Sequence, residues 1–163
     1  MKKTAIILAV VIALCAVLCA CGSSGEASKT ETAAKPLSEV WTTIKSEVTF
    51  EDFNEFDDVK KLKRYYGITE DMISEYAGGV NGSGVNQEEI VLVKAADDTN
   101  AAAIKEKLDN RFNSKLNQNK NYNAEQAKMI EGCKVEQNGL YLSMIVSDNA
   151  EQITKIYKEG IGV

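Results

Sequence analysis

Among the side chains that could do chemistry, the thiols come first. The chain has four cysteines and no histidine. Cys21 closes the run Leu18-Cys19-Ala20-Cys21, in which an aliphatic residue and two small residues precede a thiol. A thiol there can accept a diacylglycerol as a thioether. The small residues at 19 and 20 let an extended backbone enter a narrow protease cleft. Cleavage after Ala20 would free the Cys21 amine for a further acyl chain. One acyl chain holds a protein only marginally on a bilayer, whereas two or three hold it firmly. Cys133 is the other thiol of interest. A nucleophilic cysteine needs a base beside it, and the commonest base is missing. Cys133 therefore reads as a small, mostly buried thiol entering a strand.

Three other patterns come close to chemistry and stop short. Asp52, Asn54 and Asp58 have the spacing of a calcium loop. That loop wants an oxygen ligand at its fifth position, Gly at its sixth and Glu at its twelfth, and Phe56, Asp57 and Lys63 stand there instead. The glycines at 79, 82 and 84 suggest a phosphate loop, but Gln87 replaces the last Gly of the dinucleotide fingerprint and no Gly-Lys-Ser/Thr follows. A hairpin loop explains them more simply. Paired carboxylates or Ser/Lys pairs could serve hydrolysis, yet none stands in a recognisable catalytic arrangement. No catalytic, cofactor-binding or metal-ligating residue is assigned, and no cofactor is expected. Lipid attachment at Cys21 is the one site expected.

The elements around Cys21 fit that chemistry. Met1-Lys2-Lys3-Thr4 is a short basic start, and residues 5–18 form an apolar run without a charge. A membrane-spanning helix needs roughly 20 apolar residues, so this run suits the core of a signal peptide better. Together with 18–21 it resembles the leader and lipobox of bacterial lipoproteins. Residues 1–20 are read as a lipoprotein signal peptide. Residues 21–36, rich in Gly, Ser, Ala, Thr and charge, are read as a flexible tether closed by Pro36. Loss of Cys15 and Cys19 with the leader, and lipidation of Cys21, leave no intramolecular disulfide possible. Loss of Lys2 and Lys3 takes the formal charge from −5 to −7, a sign that repels phosphate backbones and argues against nucleic acid as a partner.

Residues 37–163 then form the folded domain. Ser38 is expected to cap a first helix whose stripe is Val40, Trp41, Ile44 and Val48. Residues 50–58 read as an acidic connector whose Phe side chains dock on the core. Val59, Leu62 and Tyr66 mark a short helix stopped by Gly67, and Thr69-Glu70-Asp71 starts a further turn. Residues 73–80 and 90–93 read as strands of a hairpin, the second an unbroken apolar run that suggests burial on both faces. Asp97 to Asn100 form a capping cluster. Behind it Ile104, Leu108, Phe112 and Leu116 recur every four residues. On that stripe Phe112 is expected at the centre of the helix–sheet interface, with Lys115 on the exposed flank. The asparagine-rich stretch 117–121 should break the helix, and Asn123 with Gln126 should cap a short one ended by Gly132. Residues 133–137 and 140–146 read as a hairpin about Asn138-Gly139. Asp148 with Glu151 should cap a last helix through Ile153, Ile156 and Tyr157. The fold predicted is α+β: one mostly antiparallel sheet of about four strands with helices over one face.

The stretches Leu62-Lys63-Arg64-Tyr65-Tyr66-Gly67-Ile68 and Glu89-Ile90-Val91-Leu92-Val93-Lys94, then Leu108 with Arg111, then Gly139-Leu140-Tyr141 on to Ser147-Asp148 stand behind the leader. The set resembles a family of small lipoproteins from Gram-positive anaerobes of clostridial type, catalogued as a domain of unknown function. The resemblance runs over about residues 37–158. It implies a single extracytoplasmic domain on the outer face of the membrane and brings no catalytic residue with it. Gly78-Gly79 depart from the pattern, standing where bulkier strand residues are expected.

The function expected is that of a lipid-anchored, extracytoplasmic cell-membrane protein. Its domain is a binding or accessory module of the cell envelope rather than an enzyme. Its partners would be the membrane, through the lipid on Cys21, and an envelope protein or a small-molecule ligand. The alternatives are a small cell-envelope enzyme and a sensor ectodomain working with a membrane partner.

Overall fold

The computed structural model describes residues 33–163. The leader, Cys21 and most of the tether lie outside the described residues. The elements in chain order are α1 (Leu37–Glu47), β1 (Phe53–Glu55), α2 (Val59–Tyr66), a 3-10 turn (Glu70–Met72), β2 (Ile73–Asn81), β3 (Glu89–Ala95), α3 (Asp98–Tyr122), α4 (Ala124–Glu131), β4 (Lys134–Asn138), β5 (Tyr141–Val146) and α5 (Ala150–Ile161). The five strands form one sheet in the order β1-β2-β3-β5-β4, and every pair is antiparallel. The fold is α+β, as the pattern of elements predicts.

Helices cover both faces of that sheet, not one. On one face Leu62 and Tyr66 of α2, Ala101, Ile104 and Leu108 of α3 and Ile130 of α4 pack on Val91, Val93, Leu142, Met144 and Val146. On the other, Leu37, Val40, Trp41 and Ile44 of α1 and Ile153, Ile156, Tyr157 and Ile161 of α5 pack on Ala77, Ile90, Leu92 and Ile145. Successive strand residues point to opposite faces. The run Ile90-Val91-Leu92-Val93, fully buried throughout, therefore needs a layer on each side.

The fifth strand lies in the segment read as a connector. β1 pairs with β2, setting Asn54 opposite Val80 and Glu55 opposite Gly79. Its aromatic residues do dock: Phe50 and Phe53 pack with Trp41, while Phe56 enters the core on the opposite face. The double glycine Gly78-Gly79, where bulkier strand residues are expected, has a steric explanation. A Cβ on Gly79 would lie 2.5 Å from the Asn54 carbonyl oxygen and 2.7 Å from the Phe53 ring. Gly78 has φ +117 and no room for a Cβ beside the Ile90 carbonyl. Glycine lets the short edge strand and its aromatic rings come this close.

Several helix ends differ from the expectations. Ser38 lies inside α1, not at its cap. The first free N–H, on Leu37, donates to Glu75 Oε2 of β2 at 2.8 Å, so a carboxylate from the sheet caps the helix in its place. The asparagines of 117–121 do not break α3, which runs on to Tyr122. Asn119 and Asn121 donate to carbonyls one turn back and remain helical. Asn123 caps α4 as expected, but Gln126 turns away from the cap and accepts from Gln87 N at 2.7 Å. Asp148 and Glu151 do not cap α5. Asn149 stands at that cap without a side-chain bond. The β4–β5 loop is Gly139-Leu140, one residue later than expected, because Asn138 pairs with Tyr141. Gly139 alone has positive φ there, which suits a turn with Gly first. Gly67 (φ +68) and the Asp97 cap follow the sequence.

Candidate functional site

α3 runs over the sheet with a face that changes along its length. Residues spaced by four drift roughly 40° per step around a helix of 3.6 residues per turn. The stripe from Ile104 to Leu116 therefore slides off the interface. Ile104 and Leu108 are buried, whereas Phe112 and Leu116 are half-buried. The inward face continues instead through Arg111, Lys115 and Asn119, the last two being buried. Lys115, expected on the flank, is thus buried, and Phe112, expected at the centre, packs half-buried at the edge of the core.

What meets this charged stretch is Glu89, the first residue of β3. It shares a face with Val91 and Val93 and is 1% exposed. Arg111 grips it with two parallel hydrogen bonds, Nε to Oε1 at 2.9 Å and Nη2 to Oε2 at 2.8 Å. This bidentate geometry is the strong form of the contact. Lys115 Nζ lies 2.9 Å from Glu89 Oε2 and donates at 3.0 Å to both the backbone and side-chain oxygens of Gln87. All three ammonium protons have acceptors. Burial pushes the Glu89 carboxyl up, but the Arg111 hydrogen bonds and the Lys115 charge outweigh it and hold it below the usual carboxylate range. Burial draws Lys115 down despite Glu89. The Tyr66 hydroxyl lies beside this group, buried and without a hydrogen-bond partner among the described residues. Burial and then the Glu89 charge push it well above its ordinary value.

The triad forms the floor of a cleft of about 380 Å³ at the mouth of the β2–β3 loop. Tyr65, Asn54 and the loop residues Gly82 and Asn86 rim it. The loop is held by its own polar groups. Asn81 Oδ1 accepts from Ser83 N at 2.9 Å and from Ser83 Oγ at 2.6 Å. Glu88 also lines the cleft, but Ser147 Oγ (2.7 Å) and Asn86 Nδ2 (3.1 Å) occupy its oxygens. By contrast the Arg111 side chain is 37% exposed, and its Nη1 makes no hydrogen bond among the described residues. The outer guanidinium edge is thus free to meet something in the cleft.

A family model described as Domain of unknown function (DUF4358) matches residues 46–147. The chain belongs to this family. No curated protein and no solved structure matches it. The DUF4358 match spans all three members of the triad and the whole rim of the cleft. The start of α1 and all of α5 fall outside it.

Cys133 occupies a different place in this DUF4358 chain. It stands half-buried before β4, its Sγ 3.2 Å from the Met129 carbonyl oxygen. A pocket of about 300 Å³ beside it is lined by Lys134, Glu136 and Ser143. Burial pushes the Cys133 thiol up, away from the thiolate form a nucleophile needs. Among the described residues no cluster of acidic and cysteine side chains could hold a metal ion.

The sequence pattern assigns no role to Glu89 or Arg111 and places Lys115 on the exposed flank. The available signal was the true helical period. Counted at 3.6 residues per turn from Ile104 and Leu108, Arg111 and Lys115 fall on the inward sector. A carboxylate heading a strand buried on both faces is their natural counter-charge.

Proposed function

We propose that this protein is a lipid-anchored, extracytoplasmic binding module of a Gram-positive cell envelope, tethered through Cys21 and capturing its ligand in the cleft over Glu89, Arg111 and Lys115. The lipobox 18–21 and the apolar run before it support the anchor. The cleft over the buried triad carries the binding half. Removing a charge from water costs several kcal/mol per ion, and well-packed apolar residues often serve a fold as well or better. Charges desolvated at the floor of a cleft, with one donor edge left open, suit recognition better than packing.

A binding role fits better than catalysis. A general acid needs a carboxyl whose pKa is raised. Glu89 is held below its usual range, and the Glu88 oxygens are occupied. The test is photo-cross-linking on live cells from a reactive residue placed at Tyr65, on the cleft rim. A discrete adduct, absent when the same residue replaces exposed Lys155 on α5, supports capture at the cleft. Equal, diffuse labelling from both positions overturns it.

A further inference from the structure

The mature chain is acidic overall, yet the surface of α2 and α3 next to the cleft carries cations without carboxylate partners among the described residues. The C-terminal turn of α2 carries Lys63 and Arg64, both exposed. From α3 comes Lys107, one turn before Arg111, with its Nζ 3.4 Å from where a Cβ on Gly67 would lie. Among the described residues neither Arg64 nor Lys107 forms an ion pair. Elsewhere lysines are mostly neutralised: Lys60, Lys61, Lys105 and Lys120 each hold a carboxylate. The Arg64 guanidinium lies 5.9 Å over the Tyr65 ring, and Tyr65 lines the cleft with Arg111. Arg111 thus lines the cleft itself, while Arg64 and Lys107 stand outside its lining, beside Tyr65 and Gly67. Both carboxylates that line the cleft are engaged. Glu89 faces Arg111 and Lys115 from below, and Glu88 bonds Ser147 and Asn86.

We propose that the Arg111 end of the cleft binds a phosphoryl group, its oxygens meeting the open guanidinium edge of Arg111, with Arg64 and Lys107 supplying longer-range charge from the surface beside Tyr65 and Gly67. Guanidinium groups match the oxyanion geometry of phosphate, and lysine adds a point charge beside them. Glu89 fixes the Arg111 plane from behind, so little side-chain entropy remains to be lost on binding. The inference rests on the reading of the cleft as a capture site and names the chemistry that site takes.

The test is calorimetric titration of the full chain in neutral detergent at fixed ionic strength, which holds screening constant. Inorganic phosphate represents a free phosphate-bearing solute, and glycerophosphoglycerol represents the diester of a lipid headgroup. Saturable binding of either supports the proposal, and the tighter of the two identifies the source. The double variant Arg64→Gln/Lys107→Gln removes two cations that hold no carboxylate among the described residues, and its urea midpoint checks that it stays folded. It should weaken binding by about threefold to thirtyfold, from up to about 1 kcal/mol for each exposed charge. Arg111→Gln should weaken it by roughly tenfold or more. Absence of saturable binding by both probes, or binding that the double variant leaves unchanged, overturns the proposal. Cross-linking from Tyr65 separates the two readings. A discrete adduct that contains no phosphorus overturns the phosphoryl assignment and leaves capture standing, whereas diffuse labelling removes both.

Discussion

The Lys115 ammonium lies 2.9 Å from the Glu89 carboxylate, with the two side chains 7% and 1% exposed. A pair so removed from water is costly to break from one side. Lys115→Ala should destabilise the domain by about 3–5 kcal/mol. Urea unfolding should show this as a lower midpoint at unchanged slope. A cost below about 0.5 kcal/mol, typical of a surface lysine, would remove Lys115 from the network. Phe112→Ala, at a half-buried position, should fall short of the roughly 3–5 kcal/mol that a fully buried Phe costs.

The same carboxylate makes stability depend on pH. Burial raises Glu89 and its two cations lower it further, so its folded pKa lies below the ordinary value. The unfolded chain then binds the proton more tightly. Glu89 thus contributes stability that is fully present above the unfolded value of about 4.3 and is lost as pH falls through the folded value. The melting temperature should hold from about pH 7 to 5 and fall below about pH 4. In Glu89→Gln the fall should be shallower, and what remains should come from other carboxylates with lowered folded values, Glu55, Glu75 and Glu136 among them. Parallel curves for the two proteins would mean that Glu89 has no part in the acid limb.

Gly79→Ala should displace β1. Its Cβ would meet the Asn54 carbonyl oxygen at 2.5 Å, and forcing an extra methyl into such a contact costs about 1–3 kcal/mol. Trp41, the single tryptophan, reports on β1 directly. Its Nε1 donates to Glu55 Oε2 at 2.9 Å, and its ring lies 5.8 Å from that of Phe53. The variant should shift Trp41 emission to the red and lower the urea midpoint. An unchanged spectrum with unchanged stability would contradict the packing described for β1.

Cys133 should behave as an inert thiol. It is half-buried and its pKa is raised by that burial, and attack proceeds through the thiolate. At about pH 8 an aromatic disulfide reagent should react roughly tenfold or more slowly with the folded chain than with the chain in urea. Equal rates would show an accessible, activated thiol.

If the proposed anchor is right, Cys21→Ala should leave the chain as an unprocessed precursor, since on that reading one residue is both lipid acceptor and cleavage mark. Mass spectrometry of the membrane fraction checks both forms. In the wild type an intact leader, or a cleaved but unlipidated Cys21, would end the anchor reading.

Local rules in the sequence determined much of this protein: the stripe of α1 from Val40 to Val48, the stop at Gly67, the cap at Asp97, the two-sided burial of Ile90-Val91-Leu92-Val93 and an α+β order of elements. Each depends on residues within a few positions of one another, where backbone sterics and periodicity act directly. Tertiary structure decided the rest. Glu75 replaces Ser38 at the head of α1 because the folded sheet brings a carboxylate to Leu37. β1 lies where it does because Gly79 leaves room for it. Helices occupy both faces because a strand apolar on both sides exposes one of them otherwise. The candidate site was the least legible part. Glu89 and Arg111 are 22 residues apart, and only the pairing of β3 in the sheet and the rotation of α3 upon it bring their charges together. A charged residue in a helical pattern reads as solvated until its partner is known, since burial of a charge is tolerable only where another charge meets it.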